Sequence, residues 1–182
     1  MSRRDVLLDL AVDHVLIHGL IGLSLRPLAA AIGTSDRMLL YHFGARDTLV
    51  TAIIAAANDR SIAFLKELAP APSVRDGVLT LWRLYQCEPM GSCQQIYVQA
   101  AASGLLGGEP YRTDVRRANA RWTNALSAWL ADCGAHPDRV TRVTNLVDAG
   151  LLGLYVDLSI DSPEELTGAA EDLAHAAHSL AG

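Results

Sequence analysis

The chain has 182 residues, and 51% of them are hydrophobic, so it is long enough to bury a sizeable core in one large domain or two small ones. Its net charge of −5 argues against a protein that coats nucleic acid without regard to sequence. The three cysteines have no C-x-x-C spacing, which favours reduced, buried thiols over disulfides or a redox sensor.

The N-terminal part of the chain predicts four helices separated by short turns. Gly19 ends the first helix, Ser24 is placed to cap the second, and Ser35 or the preceding threonine is placed to cap the third. Apolar spacings of three and four predict these helices over residues 3–18, 25–32, 36–42 and 46–68. The apolar face predicted for the first helix consists of Leu7, Leu10, Ala11, His14 and Ile17.

The rest of the chain continues the helical pattern. Pro70 and Pro72 end the fourth helix and form the strongest boundary signal. Pro137 is placed to open the eighth helix, and Ser162-Pro163-Glu164-Glu165 has the pattern of a helix start. The further helices are predicted over residues 74–86, 92–104, 111–133, 137–158 and 163–180. With about nine helices and no alternating strand pattern, the predicted fold class is all-α.

Residues 22–50 have the pattern of a helix-turn-helix, whose second helix enters the major groove of DNA. Gly33 suits the tight turn, and the small side chains of residues 29–31 let the two helices approach each other. In the second helix, Leu39 and Phe43 are predicted to face inward. The side chains predicted to face outward are Asp36, Arg37, Met38 and Tyr41.

The residue types in this segment suit DNA contacts. Arg37 can pair with guanine, Met38 can touch a thymine methyl group, and Asp36 can accept from cytosine or support the helix N-terminus. Phosphate contacts are predicted for Arg26, Tyr41, His42 and Arg46, and Tyr41 is also predicted to take part in base readout with Arg37 and Met38. The full set of candidate DNA-binding residues is Ser24, Arg26, Asp36, Arg37, Met38, Tyr41, His42 and Arg46.

The charge of this region limits how it could bind DNA. Residues 1–60 contain six arginines and six aspartates, with no lysine or glutamate, so their net charge is zero. Residues 61–182 carry the whole net charge of −5. Binding to phosphate would therefore depend on where a few cations lie rather than on a broad basic surface.

The segment resembles the DNA-binding region of the TetR (tetracycline-repressor) family of bacterial transcription regulators. The positions that match the family's pattern are Gly22, Ser24, Arg26, Leu28, Ala29, Gly33, Ser35, Leu39, His42, Phe43, Arg46 and Leu49. Two positions depart from it. The usual tyrosine is Leu40, so that neighbouring Tyr41 is the aromatic residue left to supply a phosphate contact, and the usual lysine is Arg46.

The resemblance implies a two-domain homodimer, with a DNA-binding domain over residues 1–46 and an effector-binding and dimerisation domain over residues 47–182. It further implies a repressor that leaves its double-stranded operator when a small-molecule effector enters the C-terminal part and moves the helix over residues 46–68.

Candidates for the effector pocket and the dimer interface lie in the C-terminal region. Aromatic residues at helical spacing line pockets but also form cores. The pocket candidates are Trp82, Tyr85, Tyr97, Gln99, Trp122, Leu126 and Tyr155. Apolar stripes on the last two helices suit dimer packing, with packing inside one chain as a near-equal alternative. The interface candidates are Val143, Val147, Leu151, Leu154, Leu166, Ala170, Leu173 and Ala177.

The sequence contains no catalytic constellation, no set of three metal ligands and no cofactor motif, so we do not expect an enzyme. It has no signal-peptide pattern and no run of 18 apolar residues, so we expect a cytoplasmic protein without a membrane partner. Two alternatives stay open. The same fold could serve an activator or a ligand-independent regulator, and a helical carrier or enzyme could keep a vestigial DNA head.

Overall fold

The computed structural model describes residues 2–182. These residues form nine α-helices and no strand, which confirms the predicted all-α class. The helices are α1 Arg3–His18, α2 Leu25–Ala31, α3 Asp36–Phe43, α4 Arg46–Glu67, α5 Val74–Tyr85, α6 Met90–Leu105, α7 Tyr111–Asp132, α8 Val140–Asp157 and α9 Thr167–Ala181.

The last two helices begin later than the sequence predicts. Helix α8 begins at Val140, after a turn in which the N–H of Arg139 bonds to the carbonyl of His136. Ser162 and Glu165 do exchange the expected capping bonds. However, the Thr167 hydroxyl donates to the carbonyl of Pro163 at 3.0 Å. The N–H of Thr167 bonds to the carbonyl of Glu164, three residues earlier. Because this tighter bond replaces the α-helical one, α9 begins only at Thr167.

Packing divides the chain into two compact units. Unit 1 runs through Ser61 and resumes over Ser92–Asn119, and unit 2 consists of Ile62–Gly91 and Ala120–Gly182. This division by packing places part of α4 and segments of α6 and α7 together with the helix-turn-helix. The functional division near residue 46 that the resemblance implies stays a prediction.

The core of unit 1 buries one face of α1, but not the face that the sequence predicts. Leu7 and Ala11 are buried as expected, together with Val12 and Val15. Leu10 is 40% exposed and Ile17 is 77% exposed, so their predicted inward position is wrong. The buried face lies to one side of the predicted stripe because the helices packed against α1 select it, and the helical period alone does not.

The helices α2 and α3 pack into the same core. Leu28 and Ala29 of α2 are buried, and so are Leu39 and Phe43 of α3, which confirms the predicted inward orientation of the latter two. The guanidinium of Arg4 lies 4.8 Å from the centroid of the Phe43 ring, a cation–π contact between α1 and α3.

Unit 2 packs α5, α8 and α9 around a second core. Gly150 of α8 lies against Leu173 of α9, and a Cβ atom on Gly150 would come within 2.6 Å of a Leu173 methyl carbon. An alanine at position 150 would therefore force the Leu173 side chain to shift.

Helix α4 is long and apolar enough to cross a membrane by length and composition alone. The core helix of a soluble protein passes the same test, so this is weak evidence. Val50 and Ile53 are buried in the core of unit 1, and Leu65 is buried in the core of unit 2.

We expect Gly150→Ala to destabilise the protein by about 1–2 kcal/mol, because the new methyl group forces Leu173 out of its packed position. In a Leu173→Ala background the same change should be neutral, or should stabilise by up to about 1 kcal/mol, since alanine is the better helix former. Urea unfolding at fixed protein concentration measures both effects. Equal destabilisation in both backgrounds would contradict the steric explanation.

Candidate nucleic-acid interface

The N-terminus of α3 is built by local side-chain caps. The Oγ of Ser35 accepts a hydrogen bond from the N–H of Met38 at 3.2 Å. The Oδ1 of Asp36 accepts from the N–H of Arg37 at 2.9 Å. These bonds satisfy donors that a helix start leaves free, and the Asp36 carboxylate also complements the positive end of the helix. Of the two roles predicted for Asp36, the structure supports the one at the helix N-terminus.

One face of α3 is left uncovered by the rest of the chain. Asp36 and Arg37 are exposed, and the exposed fractions of Met38, Leu40 and Tyr41 are 39%, 43% and 79%. This orientation agrees with the one predicted for Arg37, Met38 and Tyr41. The exposed residues combine a cation, a hydroxyl and apolar surface on one short helix. Cations and hydroxyls can bind phosphates and base edges, and apolar side chains can contact the thymine methyl group.

The second helix of the motif begins without the predicted side-chain cap. Ser24 occupies the cap position with an extended backbone, but its side chain makes no capping hydrogen bond, so that prediction is wrong. Its carbonyl accepts from the N–H of Leu28 at 3.3 Å, and its side chain is exposed. Arg26 is also exposed, as a phosphate contact requires.

Arg46 and His42 are partly engaged by the fold itself. The Nε of Arg46 donates to the carbonyl of Leu23 at 2.8 Å, and its Nη1 lies 3.1 Å from Asp47. Its guanidinium therefore holds the turn before α2. The Arg46 side chain is still 38% exposed, so part of it is open to solvent. The Nε2 of His42 is buried and has no hydrogen-bond partner among residues 2–182.

Gln99 lies in unit 1 rather than in an effector pocket. Its Oε1 accepts from the N–H of Leu20 at 2.6 Å and from the N–H of Ile21 at 2.8 Å. It therefore holds the turn between α1 and α2. No sequence signal could have shown this role, because the partners lie 78 and 79 residues away and glutamine is common on helices.

The other pocket candidates are divided between the two units. Tyr97 lies in unit 1, where its hydroxyl lies 3.2 Å from the Oδ1 of Asn119. The remaining five belong to unit 2, and four of them are buried in its core. The buried four are Trp82, Tyr85, Trp122 and Leu126. Tyr155 meets Tyr85 edge to face, and its hydroxyl donates to the carbonyl of Gly91 at 2.6 Å.

The structure shows clefts in both units. A cleft of about 330 Å³ in unit 2 separates α5 from the start of α9, and among the pocket candidates only Trp82 lines it. A cleft of about 290 Å³ in unit 1 lies between α6 and α7, with Leu105 and Arg112 in its lining. Within residues 2–182, no group of three histidine, cysteine or acidic side chains could hold a metal ion.

The interface candidates of α8 and α9 form part of the core of unit 2. Seven of the eight are buried in the single chain, and Leu173 packs against them half-buried. The buried seven are Val143, Val147, Leu151, Leu154, Leu166, Ala170 and Ala177. Their burial supports the alternative of packing inside one chain, since side chains that are already covered have little surface left for a partner.

Asp148 is a half-buried carboxylate in unit 2. The Nε1 of Trp122 donates to its Oδ1 at 2.8 Å. Burial raises the pKa of the Asp148 carboxyl above its ordinary value of 3.8, and the hydrogen bond from Trp122 opposes this shift. No arginine, lysine or histidine among the described residues forms an ion pair with it. Its ionised form therefore destabilises the folded chain.

Solved structures resemble this chain over nearly its whole length. A protein assigned to the TetR family of transcriptional regulators, from Rhodococcus, is 22% identical and has a TM-score of 0.69, with 100% of this chain and 99% of that chain covered. A transcriptional regulator from Rhodococcus sp. Rha1 is 20% identical over 99% and 96%, with a TM-score of 0.74. The multidrug binding protein EbrR, complexed with proflavin, is 23% identical over 96% and 99%, with a TM-score of 0.69.

These similarities establish the fold. The chain has the fold of TetR-type regulators, with a helix-turn-helix near its N-terminus followed by further helices. No protein-family model and no curated protein matches its sequence.

We expect Asp148→Asn to be more stable than the wild type at pH 7, because asparagine keeps an acceptor for Trp122 and carries no buried charge. Since burial raises the folded pKa of Asp148, the wild type loses stability as the pH rises from the ordinary value of 3.8 through that raised pKa. The difference between variant and wild type should therefore close as the pH falls toward 3.8. Urea unfolding across this pH range tests the sign, and a constant difference would contradict it.

Proposed function

We propose that this protein is a sequence-specific, DNA-binding transcriptional regulator of the TetR type, and that it acts as a repressor released by a small molecule. The observation that carries the proposal is the uncovered face of α3, with Arg37, Met38 and Tyr41 exposed on a helix whose opposite face is buried. This is the arrangement by which a helix-turn-helix presents its second helix to the major groove. A regulator of chromosomal genes would work in the cytoplasm.

In the proposed interface, a few residues contact bases and a few others contact phosphates. Arg37 and Met38 would read bases, while Arg26 and Tyr41 would contact phosphates together with the exposed part of Arg46. His42 would support α3 from within, because its Nε2 is buried. Since residues 1–60 have no net charge, non-specific attraction to DNA should be weak, and placed contacts should dominate.

A homodimer is part of the proposal, because one short helix reads only a few base pairs. Two reading heads about 34–36 Å apart would match successive major grooves. The burial of the predicted apolar stripe leaves the opposite face of α8 for a partner. That exposed face contains Arg142, Asn145, Ala149, Gly153 and Val156. Its small residues would let two copies of α8 approach closely.

Unit 2 is the proposed effector-binding part. Its core contains the aromatic candidates Trp82, Tyr85 and Trp122, and Asp148 adds a carboxylate without a cationic partner. EbrR, which shares the fold, is a multidrug binding protein with solved proflavin and imidazole complexes. By analogy, we propose that a small molecule bound in unit 2 lowers the affinity of this chain for its operator.

We expect Arg37→Ala to relax the sequence preference by about 1–3 kcal/mol at one base position, because a bidentate arginine–guanine contact is lost. The wild type is first used to select binding sites from a random DNA pool. The affinities of wild type and variant are then measured for these sites and for single-base variants of them. Arg75→Ala, an exposed arginine of α5 in unit 2, is the matched control and should leave all affinities unchanged.

Two outcomes of this assay would contradict the assignments. If Arg37→Ala left the relative affinities for the site variants unchanged, Arg37 would not read a base. If the wild type selected no sequence even at low salt, the regulator function itself would be wrong, and a carrier of the same fold would be favoured. A regulator should instead show log affinity falling linearly with log salt.

We expect Ala149→Arg to convert a dimer into a monomer and to abolish tight operator binding, because a long charged side chain would separate the two copies of α8. Sedimentation velocity measures the oligomeric state. Asn124→Arg, at an exposed position of α7, is the control and should remain dimeric. A dimeric Ala149→Arg protein would exclude this face of α8, and a monomeric wild type would exclude the homodimer.

A further inference from the structure

The turn between α1 and α2 determines how the helix-turn-helix begins. Helix α1 is followed by Gly19, whose φ of +83° is a conformation that other residues rarely adopt. Leu20 then places its side chain in the core, with only 1% exposed. The N–H of Leu23 bonds back to the carbonyl of Leu20 at 3.2 Å, and α2 starts two residues later, at Leu25.

A single side chain from a distant helix satisfies two backbone donors of this turn. The Oε1 of Gln99, on α6, accepts from the N–H groups of both Leu20 and Ile21, at 2.6 and 2.8 Å. One oxygen that accepts from consecutive N–H groups fixes both peptide planes with respect to α6. All three residues belong to unit 1.

The Gln99 amide also fills the space beside Gly19. A Cβ atom at Gly19 would lie 3.1 Å from both the Nε2 and the Oε1 of Gln99. Position 19 therefore needs glycine for two reasons, its φ angle and the approach of the amide. The end of α1 and the Gln99 side chain form one closely packed contact.

The same turn is held from its other end by α4. The Nε of Arg46 donates to the carbonyl of Leu23 at 2.8 Å. Gln99 and Arg46 thus fix the two ends of a segment of four residues that leads directly into α2. Because α3 packs on α2, a change in this segment would change the direction in which α3 presents Arg37 and Tyr41.

We propose that Gln99 is a positioning residue for DNA binding, which holds the α1–α2 turn so that the helix-turn-helix keeps the orientation that DNA requires. The inference rests on the proposed DNA-binding function. It extends the reading head from residues 1–46 to α6, outside the segment that the sequence motif covers. Without Gln99, a smaller fraction of molecules would have the helix-turn-helix in the orientation that binds DNA. The apparent affinity would fall in proportion to that fraction.

The test compares three full-length variants of α6. Gln99→Met keeps the side-chain length but removes the acceptor, whereas Gln99→Glu keeps an acceptor for both N–H groups. Gln95→Met makes the same chemical change at an exposed position of the same helix. Operator affinity is measured on sites selected by the wild type, and amide hydrogen exchange is measured at Leu20 and Ile21.

Gln99→Met should lose up to about 25-fold in operator affinity, since two hydrogen bonds are lost and each is worth a factor of about five. Its amide exchange should accelerate at Leu20 and Ile21, while helix content stays at the wild-type value. Gln99→Glu should recover most of the affinity and the protection, and Gln95→Met should match the wild type. Should Gln99→Met fail to fold, Gln99→Asn, whose shorter side chain cannot reach both N–H groups, takes its place in the same assay.

The outcomes separate this inference from the proposed function. Faster exchange at Leu20 and Ile21 with unchanged operator affinity would overturn the positioning role while leaving the regulator function intact. Unchanged exchange would also overturn it, because the turn would then be held without Gln99. A wild type that binds no DNA would overturn the regulator function and this role together, whereas the exchange data would still show whether Gln99 orders the turn.

Discussion

The fold of the candidate interface depends on the hydrogen bonds that hold the short turn between α1 and α2. Between α1 and α2 the chain passes through a turn over residues 19–24, where N–H and C=O groups outside the regular helices need partners. Gln99 supplies the acceptor at one end of the turn and Arg46 the donor at the other. Both come from outside α1 and α2, so the helix-turn-helix is not an independent module but the surface of a larger packed unit.

This constraint changes the role of a residue that sequence comparison would assign to DNA. Arg46 occupies the position of the usual TetR-family lysine and was predicted to contact phosphate. Its Nε is committed to the Leu23 carbonyl, and its Nη1 lies near Asp47. Because arginine distributes its donors over three nitrogens, Nε can hold the carbonyl while the other nitrogens point elsewhere. Arginine at this position therefore combines support of the turn with a partly exposed charge.

The extent to which the sequence predicted this structure follows from the range of the interactions involved. Helix ends at Gly19 and Ser35 were predictable because capping acts within a few residues. The buried face of α1 was predicted incorrectly at Ile17, because distant helices select which face is covered. The sequence places Gln99 among the pocket candidates for the same reason, since its partners lie about 80 residues away. Local signals therefore established the motif, but could not establish what holds it in place.

The exposed face of α3 then explains why a firmly held turn matters. Unit 1 provides no excess of positive charge over residues 1–60, and the Asp36 carboxylate is engaged at the helix N-terminus. The side chains that α3 exposes for the proposed contacts are one arginine, one tyrosine and apolar surface. Such contacts act over short distances and depend strongly on direction, unlike the long-range attraction of a basic patch. A head of this kind loses its contacts after a small rotation, so its affinity depends on rigid support more than that of a strongly basic head would.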